Sequence, residues 1–334
     1  MPDLSVPYMG LALKNPLVAS SSPLTESPDS IRRMEDMGIA AVVLPSLFEE
    51  QLQIESAALD EDLWRGAEEF AEATTYLPDL SRYNTGPDGY LELVRRSKHA
   101  VAIPVIASLN GVTPSGWVRY AKHIEQAGAD AIELNLYTLE TDPLRTGEEI
   151  EESYCDLVGQ VKSSVRIPVA VKLSPNFSSI ANMAKRLDRA GADALVLFNR
   201  FYQPEFDIEA LEVVPRLHLS QPHELLPRLH WAAILHGHVK ANLAVTGGVH
   251  SAVDVLKCMM AGANVAMMTS ALLENGVRFA HRVLADMDQW MEEHEYASVK
   301  QMIGSMSHRS VPDPRALERG NYMKVLSSYA LRLR

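Results

Sequence analysis

The chain has 334 residues, 47% of them apolar, a formal net charge of −12 and no dense Lys/Arg run. That length and apolar content suit one elaborated α/β barrel with a large core, and the acidic balance argues against a nucleic-acid partner. The two cysteines, Cys155 and Cys258, fall in predicted helices and read as reduced thiols. No secretory signal precedes Asp3 and no apolar run reaches membrane-spanning length, so a soluble, cytoplasmic protein is expected.

Asp3 to Lys14 reads as a short hairpin or irregular lead-in, with Pro7 and Gly10. A first core strand, Pro16 to Ser20, ends in hydroxyls, and a helix from Ser27 to Met37 follows with proline at its first position. The second strand runs from Ala40 to Pro45. A long acidic insertion occupies the stretch from Ser46 to Ala102, with one helix expected at its start and another from about Asp88. Strands are then predicted at Val105–Asn110, Ala131–Leu136, Val169–Ser174 and Ala194–Asn199, with two more in the segment Asn242–Ser270. Helices are predicted near Ser115–Gln126, Glu148–Ser163, Ser178–Arg189, His223–His236, Ser251–Met260 and Ala271–Glu293.

The joints repeat: AGADAIELNL begins at Ala127, AGADALVLFN at Ala190 and AGANVAMMTS at Ala261. Each glycine suits the left-handed position that closes a helix. Eight short apolar strands alternating with helices predict parallel βαβ units. Their near-regular spacing favours closure into a (β/α)8 (TIM) barrel over an open sheet.

The most informative stretch is NLAVTGGVHSAVDVLKCMMAGANVAMMTS, from Asn242 to Ser270. Gly247 and Gly248 end one strand and Thr269 and Ser270 end the next, each before a helix. Bare amides, hydroxyls and a helix N-terminus suit an anion, and the loops after strands seven and eight of such barrels often bind phosphate. The other strand ends carry Ser20, Ser21, Ser46, Asn110, Glu133, Asn135, Lys172, Ser174 and Asn199. Buried polar groups of this kind need partners. For Lys172 these are an internal ion pair with Glu133 or an electron-rich cofactor edge.

These pieces resemble the soluble, class 1 branch of the dihydroorotate dehydrogenase family. The likeness rests on NPLVASSS near the start, ELNL at Glu133–Leu136, VKLSP at Val171–Pro175, VTGG at Val245–Gly248 and CMMAGANVAMMTSAL from Cys258. It runs from Asn15 to about Met306, loosely in the insertion and between Phe201 and His223. It implies an FMN-bound barrel over residues 1–306, a C-terminal extension over 307–334, a homodimer, and a role in pyrimidine biosynthesis. Ser20 and Ser21 would lie under the flavin, Ser46 near its ring, and Asn135 would bond ring or substrate. Lys172 would stabilise negative charge at the pyrimidine edge. Gly247, Gly248, Thr269 and Ser270 would hold the phosphate, and Asn199 would face the substrate.

The substrate side departs from the family. Thr138 stands where the family has its catalytic cysteine base, and Glu140 stands at a substrate-gripping asparagine. Thr138 would pass a proton to water or be inert; Glu140 would be the base if burial tuned its carboxyl upward. Pro45 replaces a lysine, and Pro78, Leu80 and Arg82 fall at the contact positions of an asparagine-rich loop. Arg200 replaces a small hydroxyl residue. Arg82 or Arg200 is expected to meet an acidic substrate, since guanidinium binds carboxylate bidentately; the alternative is a surface salt bridge. No metal site is expected from His236, His238 or His294. The stripe of Tyr322, Val325, Leu326 and Tyr329 is expected to pack on the barrel or on a partner subunit.

The functional expectation is thus a flavin-dependent oxidation of dihydroorotate or a related small acidic cyclic molecule. Two alternatives stay open from sequence: a non-redox phosphate-binding lyase or synthase, and an FMN-binding paralogue without dihydroorotate activity.

Overall fold

The structure, a computed structural model, describes residues 1–49, 51, 86–111, 114–200 and 204–331. It opens on an antiparallel hairpin, β1 (Val6–Tyr8) and β2 (Leu11–Leu13), turning at Met9 and Gly10. Then come β3 (Leu17–Ala19), α1 (Pro28–Asp36), β4 (Ala41–Phe48), α2 (Gly86–Ala100), β5 (Val105–Asn110) and α3 (Pro114–Gln126). They are followed by β6 (Ala131–Asn135), α4 (Gly147–Ser164), β7 (Val169–Leu173), α5 (Ile180–Ala190) and β8 (Ala194–Leu197). A separate exposed hairpin, β9 (Glu205–Asp207) and β10 (Glu212–Val214), precedes α6 (Leu225–Leu235). The chain ends with β11 (Asn242–Thr246), α7 (Ala252–Ala261), β12 (Val265–Met268), α8 (Ser270–Asn275), α9 (Phe279–Glu293) and α10 (Tyr322–Leu331). Strands β3 to β8, β11 and β12 are parallel and close into one barrel, with β12 pairing back to β3. The expected (β/α)8 barrel is the fold.

The repeat noticed in the sequence has a physical cause. Asp130, Asp193 and Asn264 end the three joints, and each side chain accepts a backbone N–H at the start of a neighbouring strand: Val105, Val169 and Leu243. Lys98 and Lys162 pair with the two aspartates from the outer helices. A second series of acids sits at or near helix ends. Glu35 accepts from Ala102 and Ile103, Glu125 from Arg166 and Ile167, and Asp188 from Lys240 and Ala241. These bonds satisfy N–H groups at the lower rim that no strand partner reaches. Strand register is thereby fixed at one end, which leaves the polar strand ends aligned at the other.

The first hairpin closes that lower end. Met9 N–H donates to Asn242 Oδ1, and Asn264 Nδ2 donates to the Pro7 carbonyl. Tyr8 is fully buried there.

The elements differ from the sequence reading at several points. Strand β4 runs past Pro45 to Phe48, with an irregular register between Val43 and Ser46; a proline without an N–H fits a bulge but not a regular ladder. The helix expected from Ala271 to Glu293 is two, α8 and α9, separated at Gly276 with φ +78°. The β9–β10 hairpin was not foreseen. The stripe on α10 is not packed on the barrel: Tyr322, Val325 and Leu326 are all exposed, and the side chain of Tyr329 lies outside the described residues. The segment before that helix is tied to α6 by His308 N–H to the Ala233 carbonyl and by His230 to Leu317. Among the described residues no helix is long and apolar enough to cross a membrane.

Candidate active site at the mouth of the barrel

A cleft at the C-terminal ends of the strands has two adjoining lobes that share Ser21, Asn199, Arg200 and Leu217. The first, about 290 Å³, collects Ser20, Ser21, Lys172, Asn199, Arg200, Gly247, Gly248, Thr269 and Ser270. The second, about 450 Å³, adds Ser46, Asn110 and Asn135. Nearly all the strand-end residues singled out by sequence therefore meet in one place, as the barrel topology requires.

Lys172 forms part of the wall of the first lobe, and its Nζ lies 3.3 Å from Glu133 Oε1 across the β6–β7 pair. Both groups are buried, Glu133 almost completely. The ion pair weighed at the outset is present, and it does not remove Lys172 from the cleft. Glu133 Oε2 has no hydrogen-bond partner. Burial pushes the Tyr8 hydroxyl well above its ordinary value, and the Glu133 charge adds to this from within the barrel.

The end of the first lobe formed by the turns after β11 and β12 is built as a cradle. Gly247 and Gly248 have φ of +88° and +79°, conformations that L-residues resist. A Cβ on Gly248 would run into the backbone nitrogen of Leu225 and lie 2.9 Å from its Cα. Gly248 N–H donates to Ser220 Oγ (3.2 Å), whose hydroxyl donates to Ser270 Oγ (2.9 Å) and stands 3.4 Å from His250 Nε2. Thr269 Oγ1 is buried without a hydrogen-bond partner. In the second lobe Asn135 Oδ1 is likewise buried and unpartnered, while Ser46 Oγ bonds Ser108 Oγ at 2.8 Å. Orphaned buried acceptors and hydroxyls cost free energy unless a ligand or water satisfies them. A phosphate at one end and a polar ring at the other fit these groups.

Arg200 lies at the junction of the lobes, but its Nε and Nη2 donate to the Glu224 carboxylate at 3.3 Å each. Arg82 lies outside the described residues. Thr138 and Glu140 follow β6 and do not line the cleft. The Thr138 hydroxyl is buried without a formed hydrogen bond; burial raises the neighbouring Tyr154 phenol, and Thr138 beside it lowers the phenol in part.

Glu140 requires a correction. Its carboxylate accepts the Asp142 N–H at 3.1 Å and pairs with Arg145 at 2.6 Å, and these contacts hold its pKa below the usual carboxylate range. Upward tuning by burial does not occur, because the side chain sits in a loop that supplies donors.

Sequence reasoning missed Ser220, Arg216 and His218, and the apolar lining residues Phe198, Leu217, Leu219 and Met267. A legible signal existed for Ser220. It precedes Gln221-Pro222, where proline opens a helical turn, so it occupies the strand-to-helix loop of the sixth unit.

The sequence profile of the dihydroorotate dehydrogenase family matches residues 80–291. The catalytic subunit of dihydroorotate dehydrogenase B (NAD(+)) from Thermoplasma acidophilum is 28% identical over 309 residues, covering 91% of this chain and 99% of the relative. The proteins of the same name from Pyrococcus abyssi and Geobacter sulfurreducens are 27% and 26% identical, over 90% and 91% of this chain and 98% of each relative. With the barrel closed, the mouth residues gathered and most of its length matched, the chain belongs to the dihydroorotate dehydrogenase family of oxidoreductases acting on CH–CH groups.

Proposed function

We propose that this protein is an FMN-dependent oxidoreductase that oxidises dihydroorotate or a related small, acidic, cyclic molecule. The observation that carries the reading is the layout of one continuous cleft. Its glycine-and-hydroxyl cradle lies in one lobe, Lys172 in the wall of that lobe, and Asn135 in the next. A phosphate monoester with a long linker and a polar ring matches that order of groups. When bound, FMN supplies the hydride acceptor.

The remaining work falls to the chain. Gly247, Gly248, Thr269 and Ser270 bind the phosphate. Ser20 and Ser21 support the ring, Ser46 sits at its side, and Asn135 satisfies its buried Oδ1 against ring or substrate. Lys172, oriented by Glu133, presents a fixed cation to developing negative charge. Asn199 faces the substrate. Arg200, neutralised by Glu224, contributes less to holding an acid than an unpaired guanidinium would, whereas Arg216 and His218 line the exposed rim of the second lobe. Thr138 or Glu140, which follow β6 just beyond the cleft lining, handles the substrate proton, and the Glu140 carboxylate is already engaged by the Asp142 N–H and Arg145. The active form is a homodimer.

A second reading, an FMN-binding protein without dihydroorotate turnover, draws on one observation: Thr138 lies beside Tyr154 and outside the cleft lining. The first test is the chromophore. Protein purified and supplemented with FMN should keep a yellow flavin spectrum after desalting; colourless protein would refute both readings.

A further inference from the structure

Behind the Thr246–Gly248 turn stands a guanidinium that no motif in the sequence singled out. Arg228, in the first turns of α6, donates from Nε to the Thr246 carbonyl at 2.6 Å and from Nη1 to the Glu224 carbonyl. Gly247 lies against it: a Cβ there would sit 2.9 Å from Nε and 3.0 Å from Nη2. The side chain is buried, and among the described residues it forms no ion pair. The carboxylate of Glu224 is already engaged by Arg200 and by the Gln221 N–H. Burial works against the charged form of Arg228; the Glu224 charge offsets this in part from beyond ion-pair distance and Arg200 opposes it, so a further anion would compensate the remainder.

The other two cations of this lobe, Lys172 and Arg200, are each paired with a glutamate, and the helix termini add little. The first turn of α7 is capped by Ser251, whose Oγ accepts the Asp254 N–H, and Asp254 adds a carboxylate there. Helix α8 has six residues and no side-chain cap. The helix-terminus contribution expected from sequence is therefore largely spent or small, and Arg228 is left as the excess charge. His250 faces the same hydroxyls but has Glu274 at 3.8 Å on its other nitrogen.

We propose that Arg228 is the fixed cation of this phosphate cradle: it braces the Thr246–Gly248 turn from behind, and its charge selects a ligand ending in a phosphate monoester dianion. The proposal rests on the flavin reading above and adds a residue and a chemical preference to it. Arg228 is a positioning residue, since it acts through the turn and through its field and does not line the cleft.

The test compares FMN with riboflavin, which differ by the phosphate alone. Apoprotein is titrated with each, and binding is followed by quenching of flavin fluorescence. Native protein should bind FMN at least about tenfold more tightly than riboflavin. Arg228→Gln, which keeps one amide donor near the position of Nε but loses the charge, should weaken FMN by roughly tenfold or more while leaving riboflavin within about twofold. Arg228→Lys should restore FMN binding to within about threefold of native. Retained riboflavin binding also shows that a variant has folded. The proposal is overturned if Arg228→Gln leaves FMN affinity unchanged, or if it weakens both flavins by the same factor. If native protein binds neither flavin, the cofactor reading itself falls, and this proposal with it.

Discussion

Lys172 and Glu133, on adjacent strands at the heart of the barrel, form a buried ion pair with Nζ 3.3 Å from Oε1. Removing one member of such a pair leaves an uncompensated charge in a poorly solvated site, whereas removing both can be nearly neutral. Lys172→Met should therefore destabilise the protein by about 3–5 kcal/mol, and Glu133→Gln by a similar amount. The double variant should lose clearly less than the sum. Urea denaturation of the four proteins checks this, and additive losses would mean that the two groups are not coupled.

Gly248 lies at the tightest point of the cradle, with φ +79° and the backbone of Leu225 where a Cβ would go. Gly248→Ala must adopt a strained conformation or move α6. A loss of about 1–3 kcal/mol is expected, together with a fall in FMN affinity. A variant that binds FMN as tightly as native protein would show that the turn has room to spare.

Asp188 shows how the lower rim responds to pH. Burial alone would raise its carboxyl, but the Ala241 N–H, the Lys185 ammonium and the Lys240 N–H together outweigh that and hold it below its ordinary value. A carboxyl depressed in the folded state contributes stability that is present above its unfolded value, about 3.9, and is lost as pH falls through the folded one. At pH 7, Asp188→Asn should cost about 1–2 kcal/mol. The gap between variant and native protein should close below about pH 4. A gap that stays constant from pH 7 to pH 3 would contradict this.

The assignment of the substrate proton separates Thr138 from Glu140. Thr138→Val should slow flavin reduction by substrate roughly a hundredfold or more, as expected when a proton path is removed. Glu140→Gln should stay within about threefold, because its carboxylate is committed to Arg145 and Asp142. Stopped-flow absorbance under anaerobic conditions measures both, and the reverse pattern would move the base to Glu140.

The barrel and the glycine-and-hydroxyl cradle at its mouth were legible because both are written locally. Strand ends, paired glycines and Ala-Gly-Ala joints lie within a few residues of the structure they specify, and the topology then brings Ser20, Lys172, Gly247 and Thr269 together. What failed to show in sequence depends on distant contacts. Arg228 matters only because α6 folds behind the Gly247–Gly248 turn. The lowered pKa of Glu140 depends on the Asp142 N–H and on Arg145 meeting its carboxylate in a loop with no periodicity. Asp130, Asp193 and Asn264 stood out as a repeat, yet their role appears only once each side chain meets a strand that began some 20 residues away. The second strand runs past Pro45 to Phe48 because a local irregularity in register accommodates the missing N–H, a feature that local sequence does not display.

The most direct test of the central claim is the visible spectrum of FMN-loaded protein before and after anaerobic addition of dihydroorotate. Bleaching of the oxidised flavin bands is the predicted result. Flavin that stays oxidised with dihydroorotate, yet bleaches with dithionite, would contradict the proposed reaction and leave an FMN-binding barrel of this family acting on a different substrate or on none.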